Sequence, residues 1–315
     1  MKYVKNQILT VPIEDIGSNG EGIGRYEGYT LFVKDAVCGD VVSARLTKIR
    51  KNYAYARCEK IITPSPKRIE PLCAEHRRCG GCQIRALSYD AQLEYKENKV
   101  KNDLVRIGKI PAETVNSVFE PIIGMDDPER YRNKSQYPVG ADRNGEPVAG
   151  FYAARTHSII PCKDCRLAPE ENARILDVII SHMKKYHIRP YDEKNLSGTV
   201  RHVLIRKGFA TGQIMVCIVI CNRSDRRAEG SYLKGQEELI TKLGDIPGMS
   251  CICVSINNDN TNVIMGNVIH TLWGKDTITE IILQKTFEIS PLSFCQVNPV
   301  QVEKLYATAI EYAGL

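Results

Sequence analysis

Through residue 62 the apolar positions come in short runs separated by glycine-rich turns. QILTVPIEDI is followed by GSNGEGIGRYEG, then by YTLFVKDAV, CGDVVSARLTKI and YAYARCEKII. Runs of this length, spaced by turn residues, predict several short strands that form a small OB-like β-barrel. GEGIGR at 20–25 resembles a phosphate-binding glycine loop only loosely. No helical pattern follows it, so it is read as a turn between strands. TPSP at 63–66 supplies the break of a linker.

The periodicity then changes. SYDAQLEYKENKVKNDLVRIG carries Leu93, Val100, Leu104 and Ile107 at helical spacing, with Ser88 placed as the cap. EENARILDVIISHMKKY (170–186) reads as a helix packed on a sheet. That sheet is predicted by the two β-rich runs of SGTVRHVLIRKGFATGQIMVCIVICN and by CICVSINN and NVIHTLWG. The middle of the chain is therefore expected to be α+β with antiparallel pairing. In SFCQVNPVQVEKLYATAIEYAGL, residues Val302, Leu305, Tyr306, Ala309, Ile310 and Ala313 share one helical face.

At 315 residues and 43% hydrophobic composition, the chain predicts two or three domains with sizeable cores. It has no apolar run of about 18 residues, and MKYVKNQILT lacks the apolar stretch of a signal peptide. The expected location is the cytoplasm. There the twelve cysteines stay reduced, and clustered ones point to metal binding or catalysis. The net charge of +6 is unevenly spread, because residues 44–109 hold 16 Lys or Arg against 7 Asp or Glu. Such a stretch favours a polyanion, most simply nucleic acid, over the competing reading of a solvated basic face. Tyr53, Tyr55 and Arg57 on the barrel, Arg77, Arg78 and Arg85 near the cysteines, and Arg130, Arg132 and Lys134 in ERYRNK combine charge with aromatic faces suited to RNA.

CAEHRRCGGC at 73–82 places Cys73, Cys79 and Cys82 at spacing C-x5-C-x2-C. Tetrahedral metal sites and four-iron clusters want four soft ligands, and Cys162 or Cys165 of IIPCKDCRLAP could supply the fourth. Zinc is the default for paired C-x2-C motifs, while a three-plus-one set fits iron–sulfur at least as well. Unligated reduced thiols are the bland alternative. Gly80 and Gly81 would let backbone amides point at sulfur. Cys217, Cys221, Cys251 and Cys253 lie in apolar runs and read as small buried hydrophobes. Cys38, Cys58 and Cys295 are isolated, with no neighbouring base to mark a nucleophile.

IEDIGSNGEGIGRYEGYTLFVKDAVCGDVV resembles a TRAM domain, a small RNA-binding barrel. CAEHRRCGGCQIRALSYDAQLEYKENKV resembles the cluster motif and following helix of the bacterial 23S ribosomal RNA (uracil-5-)-methyltransferase family. YRNKSQYPVG, GFYAARTHSII, SGTVRHVLIRKG and SFCQVNP continue the match in order. The resemblance implies an α+β multidomain protein. Its parts would be a TRAM barrel over 1–63, an iron–sulfur domain over 64–90 and 119–287, and the start of a Rossmann-like methyltransferase domain over 91–118 and 288–315. It implies a monomer that transfers a methyl group from S-adenosylmethionine to carbon 5 of uridine in 23S ribosomal RNA or transfer RNA. In that chemistry a cysteine thiolate adds to carbon 6, and a carboxylate helps remove the proton from carbon 5.

By motif the resemblance assigns Cys73, Cys79, Cys82 and Cys165 to a structural [4Fe–4S] cluster, with Cys162 competing for the last place. It assigns Gln296 to the methyl donor and Phe294 to stacking near the target base, where plain core packing is the alternative. The donor loop, the nucleophilic cysteine and a late glutamate are expected beyond Leu315, so the chain is expected to bind RNA and its cluster without methylating. Two other readings compete. One is a non-catalytic RNA-binding iron–sulfur module. The other is a radical S-adenosylmethionine enzyme, whose C-x3-C-x2-C motif and trailing TRAM domain differ from the x5 spacing and leading TRAM here.

Overall fold

In the computed structural model, which describes residues 3–223 and 230–314, the amino-terminal alternation closes on itself. Strand β1 (Ile8–Ile16) turns Leu9, Val11 and Ile13 inward and leaves their neighbours outside. It pairs with β2 (Gly22–Tyr26), which leads to β3 (Tyr29–Lys34); β4 (Val41–Ile49) and β5 (Tyr53–Thr63) complete a closed barrel in the order β1-β2-β3-β5-β4. Val11, Leu31, Val33, Val42, Ala44, Leu46 and Ala54 are wholly buried inside it. Gly24 is required where β2 crosses β1, because a Cβ there would lie 2.3 Å from the Pro12 carbonyl oxygen. This barrel belongs to the first of two units into which the chain divides, Met1–Gly124 and Met125–Leu315.

A buried carboxylate governs how the chain leaves the barrel. Asp40 is fully buried and accepts from the backbone N–H of Val37 (2.8 Å) and of Ser65 (2.9 Å). It also accepts from Arg68, through Nη2 at 2.6 Å and Nε at 3.0 Å. Ile69 N–H then donates to the Ala86 carbonyl (2.9 Å) and Ser88 N–H to that of Lys67 (2.8 Å), so the two ends of the cysteine loop are drawn together beside this pair. Helix α1 (Tyr89–Arg106) follows at once; the Ser88 hydroxyl accepts from Ala91 N–H at 3.4 Å, as the sequence suggests. The Tyr95 hydroxyl donates to the Gly17 carbonyl (2.8 Å), anchoring α1 to the barrel. The apolar stripe expected on α1 is not its buried face: Ala91 alone is buried, while Val100 and Ile107 are exposed. A second short helix, α2 (Ala112–Val118), starts directly after Pro111.

The second unit is a mixed sheet with both faces covered. Strands β6 (Lys134–Ala141), β7 (Pro147–Tyr152) and β8 (Ile159–Pro161) precede helix α3 (Glu171–Lys185), the helix read at 170–186. Strands β9 (Val200–Lys207) and β10 (Ile214–Ile220), helix α4 (Gln236–Gly244), then β11 (Met249–Ile256) and β12 (Val268–Gly274) complete the order β12-β11-β10-β9-β6-β7-β8. Pairing is antiparallel as expected except between β10 and β11, which run parallel. The reason is α4, which lies between them in the chain and returns it for a second strand in the same direction.

Ile175, Ile179 and Met183 of α3 and Leu239 and Leu243 of α4 share one core with Val203, Ile205, Val216, Ile218 and Val254. On the other face, Leu204, Met215, Cys217, Cys251 and Cys253 pack with Ile278 and Ile289 of a hairpin, β13 (Ile278–Ile282) and β14 (Lys285–Ile289). Buried Glu280 fixes that hairpin by accepting from the N–H groups of Phe209 (2.8 Å) and Ala210 (2.9 Å). Cys217, Cys221, Cys251 and Cys253 are buried, as read from the sequence. Helix α5 (Pro299–Ala313) is capped by Asn298, whose side-chain oxygen accepts from Gln301 N–H at 3.1 Å. Among the described residues no helix is long and apolar enough to cross a membrane.

Burial alone would raise the Asp40 carboxyl, but the Arg68 guanidinium and the two backbone N–H groups prevail and hold it below the usual range. The stability it contributes is therefore present above the unfolded carboxylate value of about 3.9 and is lost as pH falls through the lower folded value. Asp40→Ala should cost about 3–5 kcal/mol at pH 7, as expected on removing one partner of a buried pair. Urea unfolding followed by tyrosine signals should show that difference shrinking below about pH 4.

Candidate nucleic-acid interface

On the barrel, β3 and β5 run parallel with Phe32 opposite Tyr55 and Lys34 opposite Arg57. Leu31, Val33, Ala54 and Ala56 take the inward positions, so alternation puts Phe32, Tyr53 and Tyr55 on the outer face. The three rings cluster, with centroids 5.7 Å apart for Phe32–Tyr53, 5.6 Å for Phe32–Tyr55 and 5.7 Å for Tyr53–Tyr55. Half-exposed rings beside cations form a surface on which unpaired bases can stack. The sequence pointed to Tyr53 and Tyr55 but not to Phe32, which joins them only through the parallel β3–β5 register. Arg57 pairs with Glu59 at 2.8 Å, an exposed contact that water screens strongly.

The cysteine loop lies against the same strands, because Lys34 Nζ donates to the Arg77 carbonyl (3.2 Å). Arg77 and Arg78 are exposed, Arg78 pairing with Glu75 at 3.1 Å, and Arg85 is half-buried. Cys73, Cys79 and Cys82 are all half-buried on this loop, and Gly81 N–H donates to Cys79 Sγ at 3.4 Å. That amide–sulfur bond is the kind expected to steady a ligating thiolate. Yet among the described residues no three His, Cys, Asp or Glu side chains stand together closely enough to hold a metal ion. The donor chemistry suits thiolate ligation, but the four-iron cluster that the resemblance implies has no assembled ligand set among these residues. The physical reason is that metal–thiolate bonds gather such ligands, whereas neutral thiols attract one another only weakly.

In the second unit, Cys165 receives a hydrogen bond from Cys162. With the N–H groups of Leu167 and Ala168, this overrides burial and draws the Cys165 thiol down to about 6. Arg130 serves the same loop: its guanidinium meets both oxygens of Asp164 (2.5 and 2.7 Å) and donates to the carbonyls of Cys165 and Ala168, each at 3.0 Å. Both terminal nitrogens of the Arg130 guanidinium are thus engaged within the protein. Arg132 is exposed. Lys134 is half-buried, and burial followed by the neighbouring Arg206 and Arg132 lowers its pKa. No carboxylate pairs with Lys134 among the described residues.

Beside these cations runs the segment from Pro291 to Asn298. Phe294 is 83% exposed, so the core-packing alternative for this ring does not hold. Gln296 is exposed as well, while Cys295 between them is half-buried against the sheet core. Burial raises the Cys295 thiol despite nearby Arg206, so this cysteine is held as a neutral thiol rather than an activated nucleophile.

Within the barrel, residues 4–58 match the TRAM domain model. Over 312 residues the chain is 41% identical to an uncharacterized RNA methyltransferase of Clostridium tetani and 43% identical to one of Clostridium acetobutylicum. Each match covers 99% of this chain and 65% of the relative, so the chain spans about 65% of the length of those proteins. Its fold resembles the crystal structure of Pyrococcus abyssi tRNA (uracil-54, C5)-methyltransferase in complex with S-adenosyl-L-homocysteine, with a TM-score of 0.69. That match has 21% identity and covers 96% of this chain and 64% of the other.

Arg130 and Arg132 should separate by substitution. Arg130→Ala should lower the melting temperature of the second unit and loosen residues 162–168 in hydrogen exchange. Arg132→Ala should leave stability within about 0.5 kcal/mol, as for a surface site, while weakening RNA binding and its salt dependence.

Proposed function

We propose that this chain contributes to S-adenosylmethionine-dependent methylation of uridine carbon 5 in RNA. The observation that carries the reading is the 291–298 segment: a protruding aromatic ring, Phe294, and exposed Gln296, on a stretch of backbone bonded to Asn133, which lies between Arg132 and Lys134; among the described residues neither cation pairs with an acid. A base turned out of its stack would lie on Phe294, with the phosphates of its strand held by Arg132 and Lys134. Gln296 would hold the donor, which when bound supplies an electrophilic methyl group. The TRAM match and the ring cluster of Phe32, Tyr53 and Tyr55 support a second RNA contact on the barrel, with Lys34, Arg57, Arg77, Arg78 and Arg85 supplying charge. Ribosomal RNA is the substrate favoured by the resemblance, with transfer RNA as the alternative.

Methyl transfer at carbon 5 also needs a thiolate at carbon 6 and a base for the departing proton. Cys295 is poorly suited to the first task, being a half-buried neutral thiol. The 315 residues alone should therefore bind RNA without methylating it. Joined to the part of the Clostridium tetani relative that they do not cover, they should label uridine carbon 5 from labelled S-adenosylmethionine. Nucleoside analysis of unmodified ribosomal and transfer RNA after incubation checks both and distinguishes the substrates. Label from the 315 residues alone would refute the assignment of the nucleophile elsewhere; no label from the joined protein would refute the reading itself.

The cluster remains part of the proposal, in a structural role with no reaction step of its own. Cys73, Cys79 and Cys82 would hold it, supported by their spacing and the Gly81–Cys79 amide–sulfur bond. Iron and sulfide content after anaerobic purification should approach four of each per chain and collapse in each Cys→Ser variant; the same assay on Cys162→Ser and Cys165→Ser identifies the remaining ligand. Stoichiometric zinc without sulfide would rule the cluster out.

A further inference from the structure

The strands beneath the 291–298 segment carry two buried polar side chains that the fold of the sheet does not itself need. Arg206, on β9, is 4% exposed. It lies opposite Lys134 across the β6–β9 pairing, and no carboxylate balances either cation among the described residues. Its Nη2 donates to the carbonyls of Pro291 (3.3 Å) and Ser293, while Nε finds no hydrogen-bond partner among the described residues. Asn133, just before β6, is 6% exposed. Its Nδ2 donates to the Gln296 carbonyl (3.0 Å), its backbone N–H donates to the Val297 carbonyl (2.9 Å), and its own carbonyl accepts from Lys207 N–H (2.9 Å). Its side-chain oxygen has no hydrogen-bond partner among the described residues.

Such an arrangement is unfavourable as mere packing. A buried guanidinium without a counter-charge, set against another cation on the next strand, destabilises the sheet relative to an apolar residue of similar volume. What the two residues do achieve is local. Together they hold the segment's carbonyls at 291, 293, 296 and 297 from below. Cys295 is turned toward the sheet core, and the alternate positions 294 and 296 face outward. An irregular segment held only at its ends would sample many orientations of these side chains, and fixing it in advance removes that ordering cost from binding.

We infer that Arg206 and Asn133 are positioning residues, clamping residues 291–297 so that Phe294 and Gln296 are presented ready for the target base and the methyl donor. This rests on the RNA reading of Phe294, and the test separates the two. With the 315-residue protein and a fluorescein-labelled single-stranded fragment of ribosomal RNA containing uridine, Phe294→Ala should weaken binding on the order of tenfold. Asn133→Ala and Arg206→Met should weaken it comparably. Each double variant with Phe294→Ala should be no weaker than its weaker single variant, because the residues act through one another.

Asn133→Ala leaves charge untouched, which separates positioning from loss of a cation. Arg206→Lys, retaining a donor at this position, should recover most of the affinity. Hydrogen exchange should quicken at 291–297 in Asn133→Ala and Arg206→Met while β9–β11 stay protected. If Arg206→Met loses that core protection, Asn133→Ala carries the test alone. Unchanged binding by Phe294→Ala would overturn the base contact and this inference with it. Weakening by Phe294→Ala with fully additive effects of Asn133→Ala and Arg206→Met, or with no effect of either, would overturn the positioning role and leave the RNA reading standing.

Discussion

Much of the first unit depends on one buried ion pair. The Asp40 carboxylate gathers a barrel turn, the strand exit at Ser65 and the Arg68 guanidinium around a single point shielded from water. A lone buried carboxylate would be prohibitively unfavourable, so its four donors are a condition of its presence rather than an accessory. Because Arg68 also donates to the Asp35 carbonyl and pairs with Leu87, the same point fixes where the cysteine loop begins and ends. Helix α1 inherits its direction from it.

The second unit solves a different problem. A sheet buried on both faces needs cover on each, and here helices supply one side while a hairpin and an irregular segment supply the other. The irregular side is the one that leaves backbone carbonyls in need of partners. Glu280 settles the hairpin by receiving amides, and Arg206 and Asn133 settle the segment by giving donors to carbonyls. Polar groups thus enter this core where regular strand pairing ends.

The barrel was legible because its strands alternate and closure follows from that pattern, as in the inward Leu9, Val11 and Ile13. The parallel β10–β11 pairing was not, since strand direction depends on the path through α4 and both strands are continuous apolar runs with no surviving alternation. Among the candidate site residues, Phe294 and Gln296 were proposed through a motif, and both are exposed. The pairing of Arg130 with Asp164 was not legible, because a cation in ERYRNK looks alike whether it meets phosphate or a carboxylate. Arg206 and Asn133 were missed for the converse reason: a polar residue inside VLIRKG or RNK gives no sign of pointing inward. Only the pairing of β9 with β6 puts them under one segment.

The seven-stranded sheet ends at β12, and this has a spectroscopic consequence. Trp273, the chain's single tryptophan, stands on that last strand at 41% exposure, paired across to Ile252 of β11. The barrel holds tyrosines but no tryptophan. Indole emission excited at long wavelength therefore reports fraying of one sheet margin, and a loss of the barrel would pass unseen in it. Agreement between that signal and tyrosine absorbance would be needed before the two units could be said to unfold as one.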